Sequence, residues 1–302
     1  MRLYGALAGL SLIWGLSFVF IKWLVDPVGL WGTVFLRCFA GAIIVLPFLW
    51  FNRKKIVRPI PFKSLAVVGI FNAGLPWGLI ALSETQINSS TAAVLNALTP
   101  ICTSLIGFLF FSILLKKRQW AGVLLGFIGI LVLMNFNVRE LFNESFIGVG
   151  TMVLAAISYG FASQYTKKYL QNTGVFLITA CSLIAGTVIG GIGVIASGSA
   201  RQFVSASFTD PVIIIAIIGL GCFGSGIAHL LFYYLVTQGS AEFATSVTYL
   251  IPITAMVWGY VLLGEAVTSH LLAGLFIIFF GVYLASRKPK GKAAVRKSKK
   301  AV

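Results

Sequence analysis

The sequence predicts an all-α membrane protein: ten transmembrane helices in two inverted five-helix repeats, with the N- and C-termini cytoplasmic. Three observations predict it. Hydrophobic residues make up 59% of the 302-residue chain and charged ones only 10%, where a soluble domain carries about 25% charged residues. The apolar residues gather in runs of roughly 20, the length a helix needs to cross a bilayer. The second half of the chain also matches the first when slid along it. A chain this apolar cannot cover its outside with polar groups, which excludes an ordinary soluble enzyme and a disordered protein. The 7 acidic residues are too few for a water-facing surface, so the net charge of +16 does not indicate a nucleic-acid binder.

The spans are expected at residues 3–25, 30–51, 63–83, 91–114, 119–136, 146–166, 174–196, 212–235, 241–264 and 268–286. Turn chemistry separates them: Asp26-Pro27, Arg58-Pro59-Ile60-Pro61, Asn88-Ser89-Ser90 and Asp210-Pro211. The first run is too long for a cleaved signal segment and no small-residue cleavage site follows it. Barrel strands are about half this length and alternate in polarity, so the runs are helices. Cys38, Cys102, Cys181 and Cys222 all lie within apolar runs, and no disulfide scaffold is implied.

Basic residues set the orientation. With the N-terminus inside, 19 Lys and Arg fall in cytoplasmic segments, and only Arg139 and Arg201 fall in external loops. That asymmetry is a positive-inside signal and requires an even number of spans. The basic run from Lys288 to Lys300 is expected near anionic headgroups.

The repeat has a definite register. At a shift of 152 residues, Gly69 coincides with Gly221, Gly74 with Gly226, Leu98 with Leu250, Pro100 with Pro252, Gly122 with Gly274 and Gly129 with Gly281. At a shift of 145, Gly5 meets Gly150, Gly15 meets Gly160, Lys22 meets Lys167, and Trp14 stands opposite Tyr159. An odd number of spans per half places the second half upside down relative to the first. Inverted repeats are a feature of many secondary transporters, with the solute near the midplane between halves. The expected division is residues 1–137 and 146–287 for the repeats, 138–145 for an external linker, and 288–302 for a basic cytoplasmic tail.

At this point the chain resembles the drug/metabolite transporter superfamily, EamA type. The residues that carry the likeness are Leu12-Ile13-Trp14-Gly15-Leu16-Ser17-Phe18 with Lys22, Arg37, Ala92-Ala93 leading to Leu98-Thr99-Pro100, Tyr249-Leu250-Ile251-Pro252, Gly264-Glu265, and Ala273-Gly274 with Gly281. The resemblance covers residues 3–287. It implies an inner-membrane secondary transporter that exports amino acids or related small metabolites by alternating access, in line with the amino-acid exporters of that group. In one departure, Ile113 stands at the repeat position of Glu265, so no role can rest on a symmetric pair of acids there.

Charge inside a membrane is costly and marks function or a specific pairing. Arg37 either meets a substrate carboxylate or pairs with Glu84 or Glu265. Lys22 snorkels or pairs with Asp26 one turn on. His229 is either a proton-sensitive polar contact or a histidine bonded to a neighbouring helix. The substrate-binding candidates are Trp14, Ser17, Asn72, Trp77, Asn96, Tyr159, His229, Tyr233, Thr248 and Tyr249, which combine apolar walls with a few polar groups. Trp31, Trp50 and Trp120 fit interfacial belts instead. Pro100 and Pro252, mid-span and repeat-equivalent, are the hinge candidates.

No Asp or Glu lies near the middle of a span. That favours facilitated diffusion or exchange over a carboxylate relay, or else coupling through His229 or a carboxylate at a span end. It also suits neutral, zwitterionic or anionic solutes. The expected partners are such a small molecule and membrane lipid, with no nucleic acid. No metal, cofactor or catalytic residue is indicated, and no phosphate-binding Gly-x4-Gly-Lys loop exists. Ser225 and His229 superficially suggest a nucleophile and base, but small residues there are better explained by helix packing. The alternative to a transporter is a lipid flippase or a scaffold subunit.

Overall fold

The fold is described from a computed structural model over residues 2–56, 58–87, 92, 95–133, 145–263 and 269–286. Among the described residues every regular element is helical. Helix α1 (Arg2–Phe51) is two arms joined without a loop, because Gly29 alone leaves helical geometry, with φ 76° and ψ 170°. The chain therefore runs on through Asp26-Pro27, where sequence places the break, and turns at Gly29. Only glycine adopts that conformation without strain. Gln202, on a short helix of residues Ala200–Ser205, donates from Nε2 to the Asp26 carbonyl at 2.8 Å beside the turn.

The remaining helices are α2 (Phe62–Glu84), α3 (Thr99–Phe111), α4 (Lys117–Leu133), α5 (Phe146–Tyr169), α6 (Val175–Ala196), α7 (Pro211–Gln238), α8 (Ala241–Thr245), α9 (Val247–Leu263) and α10 (Ser269–Ser286). Of the described helices, α1, α2, α5, α6 and α7 are long and apolar enough to cross a membrane, by length and composition. Side-chain caps open three helices. Ser145 accepts from Gly148 N, Asp210 from Val212 N ahead of Pro211, and Ser240 from Phe243 N.

Two helices carry wide π turns, Ile70–Gly74 in α2 and Ile218–Ile227 in α7. Advancing 70–74 by 152 residues lands within the second segment, so the irregularity falls at matching places in both halves. A π turn shifts the hydrogen-bond ladder by one residue and leaves backbone groups for other partners.

Helices touch where glycine removes the side chain. A Cβ built on Gly129 would meet the Gly274 carbonyl at 3.0 Å, and one on Gly281 would meet the Gly122 carbonyl at 2.7 Å. Under the 152-residue shift these two contacts are the same contact, read once from α4 and once from α10. The pattern recurs elsewhere. Gly69 faces Ala185 and Gly221 faces Ala40, each at 2.6 Å or less. Ala40 and Ala185 are related by the 145-residue shift.

The outward surface is apolar, with Phe51, Phe110, Phe146, Ile195 and Phe276 exposed, while Ser83, Thr103, Ser163, Gln164 and Ser182 are buried. This distribution reverses that of a soluble protein and follows from lipid as the outer solvent. Large side chains fill the interior beside the glycines. Trp31 lies against Gly78 and Gly193, so it serves packing rather than an interfacial belt alone.

Two predictions test this packing. Gly160→Ala places a methyl 2.8 Å from Thr103 N on α3; it should destabilise the protein by about 1–3 kcal/mol. Gly150→Ala, with nothing within 4 Å, should be neutral or stabilising by up to ~1 kcal/mol. Thermal unfolding in detergent compares the two. Gly29→Ala, forced into a glycine-only conformation against Gln202, should also cost about 1–3 kcal/mol, lowering the same melting temperature.

Candidate functional site

A cavity lies where both arms of α1 meet α2, α5, α7 and the start of α9. Four repeat-related pairs stand among its walls. Trp14 faces it with Tyr159, related by the 145-residue shift. Ile80 lines it with Phe232, Asn96 with Thr248, and Thr99 with Ile251, each pair related by the 152-residue shift. The open space at its centre is about 50 Å³, room for a few waters and well under the few hundred Å³ of a small-molecule site. The side chains are thus drawn in on one another in this conformation.

Trp14 is held through the π turn of α7. The Ala228 N–H bonds to Phe223 O and not, as in an α-helix, to Gly224 O. The Gly224 carbonyl is thereby released and accepts from the Trp14 indole Nε1 at 3.0 Å. Ser17, one turn on from Trp14, donates its hydroxyl to Ile13 O and lies against Gly224.

Arg37 sits about 12 Å along the second arm of α1 from Gly29, counted at 1.5 Å per residue. It is only 5% exposed and lines the cavity. Its Nε donates to Ser225 Oγ at 3.0 Å, and its guanidinium carbon lies 3.9 Å above the Trp77 ring. Ser225 in turn donates to the Leu220 carbonyl five residues back, the spacing of a π turn. The Ser225 hydroxyl therefore serves Arg37 and the backbone and is not bonded to His229. The seat is rigid because Gly41, one turn on from Arg37, brings the backbone of α1 onto α7. A Cβ there would meet Gly221 O and Gly226 N at 3.0 Å.

His229 does not line the cavity but stands behind its wall. Its ring packs edge-on against Trp77, with centroids 4.8 Å apart, and against Trp14 at 5.7 Å. It is buried, and its Nδ1 has no hydrogen-bond partner. His229 and Trp77 are also repeat partners under the 152-residue shift.

Six of the ten substrate-binding candidates line the cavity: Trp14, Ser17, Trp77, Asn96, Tyr159 and Thr248. The other four lie elsewhere. Asn72 Nδ2 donates to Tyr233 Oη at 2.9 Å, and Tyr233 Oη also meets Ser182 Oγ at 2.7 Å; this triad ties α2, α6 and α7 together. Tyr249 turns away toward α4, where its hydroxyl donates to Val123 O and its ring covers Gly126. Lys22 is exposed and does not line the cavity, as a snorkelling lysine should be. Neither carboxylate oxygen of Glu84 has a hydrogen-bond partner, so Glu84 does not bond Arg37 here. Glu265 lies outside the described residues.

Pro252 lies inside α9, while Pro100 lies in the first turn of α3, after a break at Ala97 and Leu98. Proline fits a first turn because the N–H it lacks has no helical acceptor there. The Asn96 carbonyl, four residues back, accepts from Thr99 Oγ1 at 2.7 Å. The matching residue before Pro252 is Thr248, and both sit at the cavity.

Thr99, named beside Asn96 and Pro100 in the sequence, does line the cavity, while reasoning from residue type missed Ile80, Phe232 and Ile251. The repeat register was the signal that could have found them, since half of each pair sits beside a residue already singled out. Sequence also treated Glu242 as a residue at a span end. It is buried, and its Oε1 accepts from Gln164 Nε2 at 2.6 Å, while the same amide donates to Thr103 O.

The comparisons agree with this architecture. Residues 2–135 and 146–287 each match the EamA-like transporter family. An uncharacterised inner membrane transporter of Escherichia coli (strain K12), YedA, is 29% identical over 290 residues, covering 95% of this chain and 91% of its own. An uncharacterised transporter of Archaeoglobus fulgidus is 25% identical over 95% of this chain and 100% of its own. PagO of Salmonella typhimurium is 24% identical over 91% of this chain and 89% of its own. A solved crystal structure shares the fold at a TM-score of 0.74 and 16% identity, over 94% of this chain and 97% of the other. The chain belongs to the EamA-like transporter family of the drug/metabolite transporter superfamily, and it is an integral membrane transporter of the bacterial inner membrane.

Proposed function

We propose that the protein exports small amphipathic metabolites, amino acids among them, by alternating access around the central cavity. In this reading ten spans form two inverted repeats, residues 1–137 and 146–287, with residues 138–145 as an external linker and both termini cytoplasmic. The observation that carries it is the pairing of cavity walls by repeat register: Trp14 with Tyr159, Ile80 with Phe232, Asn96 with Thr248, Thr99 with Ile251. A site walled by both halves at matching positions presents related groups whichever half moves. Two conformations of comparable energy then exchange by trading roles, and solute binding biases the exchange. The contracted cavity supports the same reading, because a metabolite fits only when the walls separate.

Trp14, Ser17, Trp77, Asn96, Tyr159 and Thr248 contact the solute in this reading. Asn72, Tyr233, His229 and Tyr249 hold the wall from behind. Pro100 and Pro252 act as hinges, since neither has an N–H to give the helical ladder and bending there breaks no backbone bond of theirs.

The test is counterflow into liposomes holding the purified protein, with amino acids, organic acids and sugars loaded in turn. Saturable exchange is expected, falling at least about tenfold in Trp14→Ala while the protein stays folded. Pro252→Ala should slow exchange more than it weakens binding, as a hinge variant does. If no solute exchanges, the lipid-flippase or scaffold reading takes its place. A single cysteine placed in the 288–302 tail of a cysteine-free variant should resist an impermeant thiol reagent applied to intact cells. Labelling from outside would overturn the topology.

A further inference from the structure

We propose that Arg37 is the anion seat of the cavity, and that solutes of this carrier bear a carboxylate on a planar apolar body. The inference rests on the cavity being the solute site and names the class of solute that fits it.

Arg37 is a buried cation with unused valence. Among the described residues only its Nε has an acceptor, the Ser225 hydroxyl, and no carboxylate forms an ion pair with it. The N–H groups on its two terminal nitrogens have no protein acceptor among those residues. A buried charge without a bonded counter-ion is expensive in a membrane, and the face of Trp77 and one serine offset only part of that. The same two neighbours do something else well. Trp77 fixes the plane of the guanidinium and Ser225 fixes its rotation in that plane. A fork held in plane and register is the geometry that takes a carboxylate bidentately, and lysine cannot reproduce it.

The charge is also one-sided. The 145-residue shift carries Arg37 to Ser182, which is neutral and engaged with Tyr233. Among the described residues no acidic side chain and no other cation lines the cavity. One anionic group is therefore matched, and a solute whose only charge is positive meets a like charge. The amide oxygen of Asn96 and the hydroxyls of Thr99 and Thr248 supply acceptors for an amino group without supplying a charge. Most of the remaining walls, among them Trp14, Phe18, Tyr159, Ile80 and Phe232, are aromatic or aliphatic, which sets the body of the solute as flat and apolar.

The experiment is a binding titration of the purified full-length protein in detergent by calorimetry, with three matched probes: 3-phenylpropionate, 3-phenylpropionamide and phenethylamine. The carboxylate should bind about tenfold or more tighter than the amide, equivalent to about 1.4 kcal/mol, and the amine should not bind. In Arg37→Gln the carboxylate and amide should come within about twofold. In Ser225→Ala, which keeps the charge but loosens its aim, the preference should shrink without vanishing. Equal binding of the first two probes by the unmodified protein overturns the inference without recourse to any variant. So does absence of saturable binding, or a preference that survives in folded Arg37→Gln. Selective carboxylate binding with no solute exchanged in liposomes overturns the transport reading and leaves this inference standing. Exchange that ignores the carboxylate does the reverse.

Discussion

The approach of the second arm of α1 to the π turn of α7 sets the geometry of the centre. Gly41 lets the two backbones come within reach, with a missing Cβ at 3.0 Å from Gly221 O and Gly226 N. That contact fixes Arg37 opposite Ser225 and brings the guanidinium onto Trp77. The π turn also releases the Gly224 carbonyl that Trp14 needs. In water a misplaced indole N–H or guanidinium would be solvated at little cost. In the core of a bilayer each must find a partner in the protein, so one glycine contact and one irregular turn govern three cavity side chains together.

The two halves are alike in their packing and unlike in their chemistry. Glycine contacts repeat under the register shifts, as at Gly129 and Gly281, or Gly69 and Gly221. The side chains at the centre do not all repeat. Trp77 is matched by His229, which stacks against it from behind the wall, and Arg37 is matched by Ser182. In the proposed alternating-access reading, likeness of the scaffold serves motion, because both halves can then adopt either role. Unlikeness of the central groups serves recognition, because a single fixed charge gives a solute one orientation.

The helices α1, α2, α5, α6 and α7 were legible because lipid imposes a coarse rule, about 20 apolar residues per crossing. The expected span 91–114, by contrast, holds a helix of only 13 described residues, and 241–264 is broken at Ser246. The exceptions are local. The turn came at Gly29 and not at Asp26-Pro27, because a proline restricts geometry whereas the reversal needed a positive φ. The π turns were invisible, since nothing in Ile70–Gly74 or Ile218–Ile227 differs in composition from an ordinary glycine-bearing helix. At the site, deep tryptophans and the asparagine before Pro100 were legible as polar groups with no reason to sit in lipid. Tyr249 and Asn72 met the same criterion yet bond to Val123 O and Tyr233. Residue type says that a buried polar group needs a partner. It does not say whether that partner is the protein or the solute.

That distinction bears on how the cavity opens. Asn72 and Ser182 are each bonded to the Tyr233 hydroxyl across three helices, so separating those helices would break both hydrogen bonds in a medium with no replacement for them. The cavity groups are differently committed. Ser17 returns its hydroxyl to the Ile13 carbonyl of its own helix, a bond that survives when the helix moves as a body, while Thr99 and Thr248 each bond across a short break, to Asn96 O and Thr245 O. The helices are interrupted at Ala97–Leu98 and at Ser246, beside Asn96 and Thr248, and a shift there strains short-range bonds at one turn rather than a set that ties three helices. Motion costs least where polar groups are satisfied close by in the chain, as those of Ser17, Thr99 and Thr248 are, and most at Trp14 and Arg37, whose partners stand on α7.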